Sequence, residues 1–453
     1  MKKNRLHIWI LGGVAFLLSS CLSDNYGVDE WDLSNCQITS FKLKNDSIPE
    51  LENVKFTIDQ VNGQIFNKDS MPFGTVIDRK VLCDITYELN PSGVEVYQEA
   101  LKDSTFGWNG TDSLDFSDFV RFIIYSYDGK ASKTYMVRLN VHQQNPDSMA
   151  WTLYSERLAG SGVQEQKVIV FGADYWMYVK DANGYSVYTS PRTDVPEWTG
   201  MSAESLADKI FHLSQITIHE GRLYLPASDG SLYHSSDGSH WEVWSGAPQV
   251  VTLLGALEAS VQTKRPAALA AVVREGDDRY FAALTGTEWT KGAAVPERFP
   301  TSGFGVVSYE QMYYPHLTIV AGKDREGRLS NAAWSTMDGL AWTCLTGAET
   351  SYFEPREGVM LTQYDDKLCL IGGIDASDKA LKDIYWSIDK GVSWTPSDSL
   401  KILPEDCRAR GYASALTDDN RFLLLFGGKE SNNANVLEEI WRGRINRLGF
   451  VEE

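Results

Sequence analysis

A tryptophan followed by a polar residue recurs six times in the C-terminal two-thirds of the chain: Trp151-Thr152, Trp198-Thr199, Trp241-Glu242, Trp289-Thr290, Trp342-Thr343 and Trp394-Thr395. The successive intervals are 47, 43, 48, 53 and 52 residues. Self-similarity at such a period describes a repeat architecture in which each unit is one four-stranded blade of a propeller. Within a unit a first strand ends near a turn and an apolar strand follows it, as at Val168–Phe171, Leu223–Leu225, Leu317–Val320, Leu368–Ile371 and Phe422–Phe426. An aromatic strand follows, carrying Tyr188, Tyr233, Trp334, Trp386 or Trp441, and the Trp-polar strand closes the unit. The third unit, about 249–293, departs most, having Tyr280-Phe281 but no diglycine.

The chain ends at Glu453, too soon after Trp441 for the last unit to supply its own closing strand, whereas Trp151 precedes the first apolar strand and has no unit. The economical expectation is six blades, with the Trp151 strand completing the last and covering an otherwise open sheet edge. The order apolar strand, Gly372-Gly373 or Gly427-Gly428, then Trp386 or Trp441 resembles a kelch repeat, most clearly over residues 354–453. Ser387-Ile-Asp389-Lys-Gly391-Val-Ser-Trp394 resembles the Asp-box, with shortened versions at Asp237-Gly238 and Asp338-Gly339. The physics of that motif is structural: a carboxylate accepts backbone N–H groups, a glycine takes positive φ, and a tryptophan packs inward.

Ahead of the repeats the chain divides further. Residues 1–20 read as a lipoprotein signal peptide, with Lys2, Lys3 and Arg5 before the apolar run Ile8–Leu18. Leu18-Ser19-Ser20-Cys21 matches a bacterial lipobox, which makes Cys21 the expected lipidation site. Residues 21–30 read as a tether, 31–142 as short alternating strands of a β-sandwich, 143–148 as a linker and 149–453 as the propeller. Asp128-Gly129 is expected to supply the positive-φ positions of a tight hairpin. Asp115–Val120, Tyr125, Asp128-Gly129, Tyr135 and Val137 together resemble the closing half of immunoglobulin-like domains on Bacteroidota surface lipoproteins. The expected fold is thus all-β: an Ig-like β-sandwich followed by a six-bladed kelch-like propeller closed by an N-terminal strand. The whole resembles Bacteroidota lipoproteins of that architecture, and implies a protein lipid-anchored in the cell envelope, at the outer membrane.

The formal charge of −19 becomes −22 once the three cations of residues 1–20 are removed. So acidic a chain repels polyanions, which argues against a nucleic-acid partner. No C-x-x-C, H-E-x-x-H or calcium-loop pattern occurs, so no metal and no cofactor are expected. Cys36 and Cys83 either bridge the N-terminal domain or remain buried thiols.

Ligands of propellers lie at the mouth of the channel, on loops that lead into the inner strands. Aligning Tyr364–Leu368 with Asp418–Phe422 sets Arg356 opposite Arg410, with Arg408 nearby and Arg265 and Arg298 in looser correspondence. Pro355-Arg356 also matches a pair that recurs in kelch repeats. Two readings follow for Arg356, Arg408 and Arg410. They bind a carboxylate or sulfate bidentately, or they pair with Glu354, Glu357, Glu405 and Asp406 to hold loops. A sialidase-like enzyme would need three convergent arginines and a Tyr–Glu pair, and the Arg-Ile-Pro signature of that family is absent. His212, His219, His234 and His240 lack metal-ligand spacing, and His219 and His240 are expected at the surface. The expected function is non-catalytic binding of a glycan or envelope protein; the alternative is a glycan-active hydrolase or lyase.

Overall fold

The computed structural model describes residues 33–77, 80–102, 104–155, 162–193, 196–202, 206, 209–346 and 352–449. Cys21 and the signal and tether segments lie outside them. The described chain is all-β and forms two compact units, divided after Gln143.

In the N-terminal unit a three-stranded sheet holds Ile38–Lys44, Lys80–Tyr87 and Leu114–Asp115. A six-stranded sheet runs in the order Phe56–Asp59, Gln64–Asn67, Ser132–Arg138, Val120–Tyr125, Gly93–Gln98, Phe106–Gly107. Alternation in strands such as Val120–Tyr125 sends every second side chain into one core shared by both sheets. Phe41 of the smaller sheet meets Phe56 and Phe122 of the larger edge-on, with centroids 5.0 and 6.1 Å apart. The loop between Val120–Tyr125 and Ser132–Arg138 is longer than the expected tight turn. Only Gly129 takes positive φ, while Asp128 accepts from the Ser126 hydroxyl at 2.6 Å. Cys36 and Cys83 are buried and unbridged, the Cys36 thiol donating to the Ser34 carbonyl.

The C-terminal unit holds six four-stranded antiparallel sheets among the described residues. We letter them in chain order. Sheet A is Glu165–Phe171, Asp174–Asp181, Gly184–Pro191 and Thr199–Ser202. Sheet B is Thr217–His219, Arg222–Pro226, Leu232–Ser235 and Glu242–Val243. Sheet C is Val250–Leu257, Ala268–Glu275, Asp278–Thr285 and Glu288–Ala294. Sheet D is Gly305–Gln311, Tyr314–Lys323, Leu329–Thr336 and Thr343–Cys344. Sheet E is Met360–Tyr364, Lys367–Ile374, Ala380–Ser387 and Thr395–Pro396. Sheet F is Ser414–Thr417, Leu423–Phe426 and Ile440–Ile445, and its outer strand is Met149–Ser155, in which Trp151 faces Gly443. In the first unit the apolar run Val168–Phe171 belongs to the first strand, whereas in sheets B, D, E and F it is the second. The sequence alignment was therefore one strand out of step in sheet A.

First strands neighbour one another from B through F, and that of F meets that of A, where Val168 donates its amide to the Ser414 hydroxyl at 2.8 Å. Each pair of adjacent sheets encloses an apolar core, which explains why a strand such as Lys367–Ile374 is apolar on both faces. The six repeat tryptophans divide among these cores one apiece. Trp241 lies between A and B, Trp289 between B and C, Trp342 between C and D. Trp394 lies between D and E, Trp151 between E and F, and Trp198 between F and A. The period of the sequence is thus the period of the inter-sheet spaces.

The three Asp-box turns lock neighbouring sheets. Asp389 accepts from the Ser393 amide at 2.9 Å, and Gly391 donates to the Ser387 hydroxyl at 2.7 Å. In sheet B, Asp237 accepts the Ser239 and His240 amides, and the Gly238 carbonyl takes the Tyr178 hydroxyl of sheet A at 2.8 Å. Gly238 has φ +83, and a Cβ there would stand 2.3 Å from the Trp176 ring. No larger residue fits between the two sheets at that point.

Candidate functional site

The segments leading into the first strands of sheets E and F follow one plan. Arg356 donates to the carbonyls of Glu354 and Gly372 at 2.9 and 3.2 Å and pairs with Asp383 at 2.6 Å. Arg410 donates to the carbonyls of Arg408 and Gly427 at 3.0 and 2.8 Å and pairs with Glu439 at 2.7 Å. Their backbones meanwhile bond the preceding sheet: Gly322 donates to the Arg356 carbonyl at 2.8 Å and Gly373 to the Arg410 carbonyl at 3.0 Å. Each arginine therefore ties two sheets together. Their side chains are 1% and 0% exposed, so the guanidinium groups meet protein acceptors and not solvent. Arg408 is half-exposed and shares Glu439 with Arg410, with Glu430 at 3.7 Å. The three arginines do not converge on a common space. Arg265 lies after the first strand of sheet C, where it donates to the Met337 carbonyl, and Arg298 pairs with Asp324 at 3.6 Å.

Beside the arginines stand residues that the sequence reading left aside. Two positions after Arg356 comes Gly358, and two after Arg410 comes Tyr412; Gly303 occupies the like position before sheet D. Tyr412 donates its amide to the Gly358 carbonyl, and Gly358 donates to Gly303, both at 2.6 Å. All three take positive φ, at +57 for Tyr412, +65 for Gly358 and +63 for Gly303. Two of the three segments thus use glycine for this backbone, while the third forces a tyrosine into it. A bulky residue held in that region carries strain that surrounding structure must sustain.

The strained tyrosine sets its ring over Gly358 and directs its hydroxyl to Glu357 Oε2 at 2.5 Å. Glu357 is buried, and its Oε1 accepts from Lys323 Nζ at 2.5 Å and from Asn432 Nδ2 at 2.9 Å. Lys429 donates to the Asn432 carbonyl at 2.6 Å. Glu165, at the start of sheet A, lies close enough to act on the charges of both Tyr412 and Lys429. Sheets A, D, E and F thus contribute to one polar cluster where their inner strands begin or their second strands end.

Burial, then the hydrogen bond and charge of Glu357, push the Tyr412 phenol well above its ordinary value. Burial lowers the Lys429 ammonium, and burial raises the Glu165 carboxyl against the opposing charge of His212. An activated phenolate would need the opposite shift at Tyr412. Glu357 is also loaded with three donors, which leaves little lone-pair capacity for proton abstraction. The cluster is therefore suited to giving and accepting hydrogen bonds. Its signal in the sequence was the repeat alignment itself, where glycine, glycine and tyrosine occupy one position.

Among the described residues, no group of three His, Cys, Asp or Glu side chains is placed to hold a metal ion. His240 is exposed beside its Asp-box, as expected. His219, contrary to expectation, is buried: the hairpin turn is formed by Glu220 and Gly221, and the imidazole folds back against Tyr224. Among the described residues no helix is long and apolar enough to cross a membrane.

An all-β chain with a β-propeller domain is the class these observations define. Residues 145–453 match the DUF6242 beta propeller domain, and residues 32–139 match the N-terminal domain of the same family, described as a domain of unknown function. The chain belongs to the DUF6242 family. No curated protein matches it. Among solved structures it is similar to one described as "Structure of YjhT", with TM-score 0.47 and 13% identity, covering 62% of this chain and 95% of that one.

Proposed function

We propose that this chain is a cell-envelope lipoprotein, anchored through Cys21 at the outer membrane. Its N-terminal unit is an Ig-like sandwich that acts as a spacer. Its six C-terminal sheets are the blades of a kelch-like propeller closed by the strand Met149–Ser155. The propeller is a non-catalytic binding module, and its partner is a glycan, held at the cluster of Lys323, Glu357, Tyr412 and Asn432. The observation that carries this reading is Tyr412, kept at φ +57 where its sister segments use glycine, with its hydroxyl fixed on Glu357. A polyhydroxylated ligand suits a site that offers ammonium, phenol and amide groups together, oriented by the Glu357 carboxylate that they share. Arg356 and Arg410 act in this scheme as buried ties beneath the site, while Arg408 remains at the rim, where an envelope protein could also be met.

The test is calorimetric titration of the mature chain with a panel of host and dietary glycans. A bound glycan should lose about tenfold or more in affinity in Tyr412→Phe and Lys323→Gln. Binding to no glycan, or equal binding by both variants, would overturn the reading and turn attention to an envelope protein. The Tyr412–Glu357 pair is the one feature that favours the alternative, a glycan-active hydrolase or lyase. Product release from the same panel, abolished by Tyr412→Phe, would establish that alternative. Cys21→Ser should move the protein from the membrane to the soluble fraction.

A further inference from the structure

A second place in the propeller domain has the makings of a ligand site. Between sheets C and D lies a cavity of about 170 Å³, whose wall includes Arg279, Tyr280, Glu297, Phe299, Thr301 and Arg325. Arg279 sits in the third strand of sheet C directly opposite Arg274, and like charges in facing positions repel. The nearby acids pair with other cations, although the charge of Glu297 also reaches Arg325. Glu275 pairs with Lys291 at 2.8 Å, and Glu297 and Asp324 pair with Arg328 at 2.8 and 2.7 Å. Arg274 turns away to the Gln249 side-chain oxygen at 3.0 Å. Asp278 also borders the cavity, yet among the described residues neither Arg279 nor Arg325 forms an ion pair with it or with any other acid. Burial and the charges of Arg325 and Arg274 together push the Arg279 guanidinium below its ordinary value.

In a chain with a net charge of −19, two guanidinium groups that share a cavity wall and form no ion pair among the described residues are conspicuous. We propose that this cavity binds an oxyanion, held by Arg279 and Arg325 with the Thr301 hydroxyl beside them. Guanidinium forks match the planar or tetrahedral oxygens of carboxylate, sulfate or phosphate, and an anion would remove the repulsion between the two arginines. The cavity adjoins the polar cluster through the backbone: Thr301 donates its amide to the Lys323 carbonyl at 2.7 Å. The proposal does not depend on the glycan reading, because it concerns a simple anion and different side chains.

The experiment is calorimetric titration of the full mature chain with sulfate, phosphate and glucuronate, with glucose as the neutral control. At least one oxyanion should bind and glucose should not. Its affinity should fall about tenfold or more in Arg279→Gln and in Arg325→Gln. Arg325 is exposed, so Arg325→Gln should melt at the wild-type temperature when no anion is added. Binding of sulfate and phosphate alone would identify a tetrahedral anion site, and binding of glucuronate alone a site for a sugar carboxylate. Absence of binding by all three, or equal binding by both variants, would overturn the proposal.

Discussion

Replacing Arg410 by alanine tests most directly whether the predicted channel arginines are ties between sheets. The side chain is 0% exposed and engages the carbonyls of Arg408 and Gly427 at 3.0 and 2.8 Å and Glu439 at 2.7 Å. Truncation leaves two carbonyls without their donor and opens a cavity the size of a guanidinium group. Glu439 is not stranded, since Arg408 and the Trp441 indole continue to donate to it at 2.8 and 3.0 Å. Lost bonds to buried carbonyls at about 1–3 kcal/mol each, together with the cavity, give an expected loss of about 3–5 kcal/mol. Arg408→Ala removes a half-exposed partner of the same carboxylate and should lose only about 0–1 kcal/mol. The assay is urea unfolding followed by tryptophan fluorescence, with the transition of the propeller domain analysed separately from that of the N-terminal unit. Arg410→Ala within 1 kcal/mol of the wild type, or as stable as Arg408→Ala, would refute the assignment of the buried arginine as a tie.

Other consequences can be measured in the same way. Gly238→Ala should destabilise by about 2–4 kcal/mol, since it adds left-handed strain and a clash with Trp176, whereas Gly221→Ala, at φ +73 over open space, should lose only about 1–2 kcal/mol. Ser414→Ala should lose about 1–2 kcal/mol and speed amide exchange at Val168, because it strands the amide that links sheet F to sheet A. Burial depresses His219 below the ordinary imidazole value of 6.5, despite the opposing charge of Glu220. The unfolded chain then binds the proton that the folded chain refuses, so stability is full above pH 6.5 and declines as the pH falls towards the folded value. His219→Gln should show a shallower loss between pH 7 and pH 5 in denaturant titrations; an unchanged slope would mean that this imidazole is not the group responsible.

The repeat was legible in the sequence because it is written in local terms. A strand enclosed between two sheets must be apolar on both faces, and one large ring per unit must fill the space that twisting sheets leave between them. The six tryptophans report that requirement, one for each core. The Asp-box turns were legible for the same reason, since Asp389, Gly391 and Ser393 bond within a few residues. Strand order within a unit was less so: Val168–Phe171 and Leu368–Ile371 read alike as apolar runs, though one is a first strand and the other a second. The arginines were found by alignment, but an arginine that reaches for solvent and one that reaches under its own sheet have the same letter. Only the positions of Asp383 and Glu439, 27 and 29 residues downstream, decided which way Arg356 and Arg410 turn. Glu357 and Tyr412, 55 residues apart, belong to different sheets and meet because successive sheets bring equivalent segments side by side. The sequence by itself determined how many aromatic wedges there are and how far apart they fall, since burial of a repeating apolar pattern depends on near neighbours. Tertiary structure alone decided which polar groups share a site, because that depends on distances between segments whose separation along the chain carries no information about their separation in space.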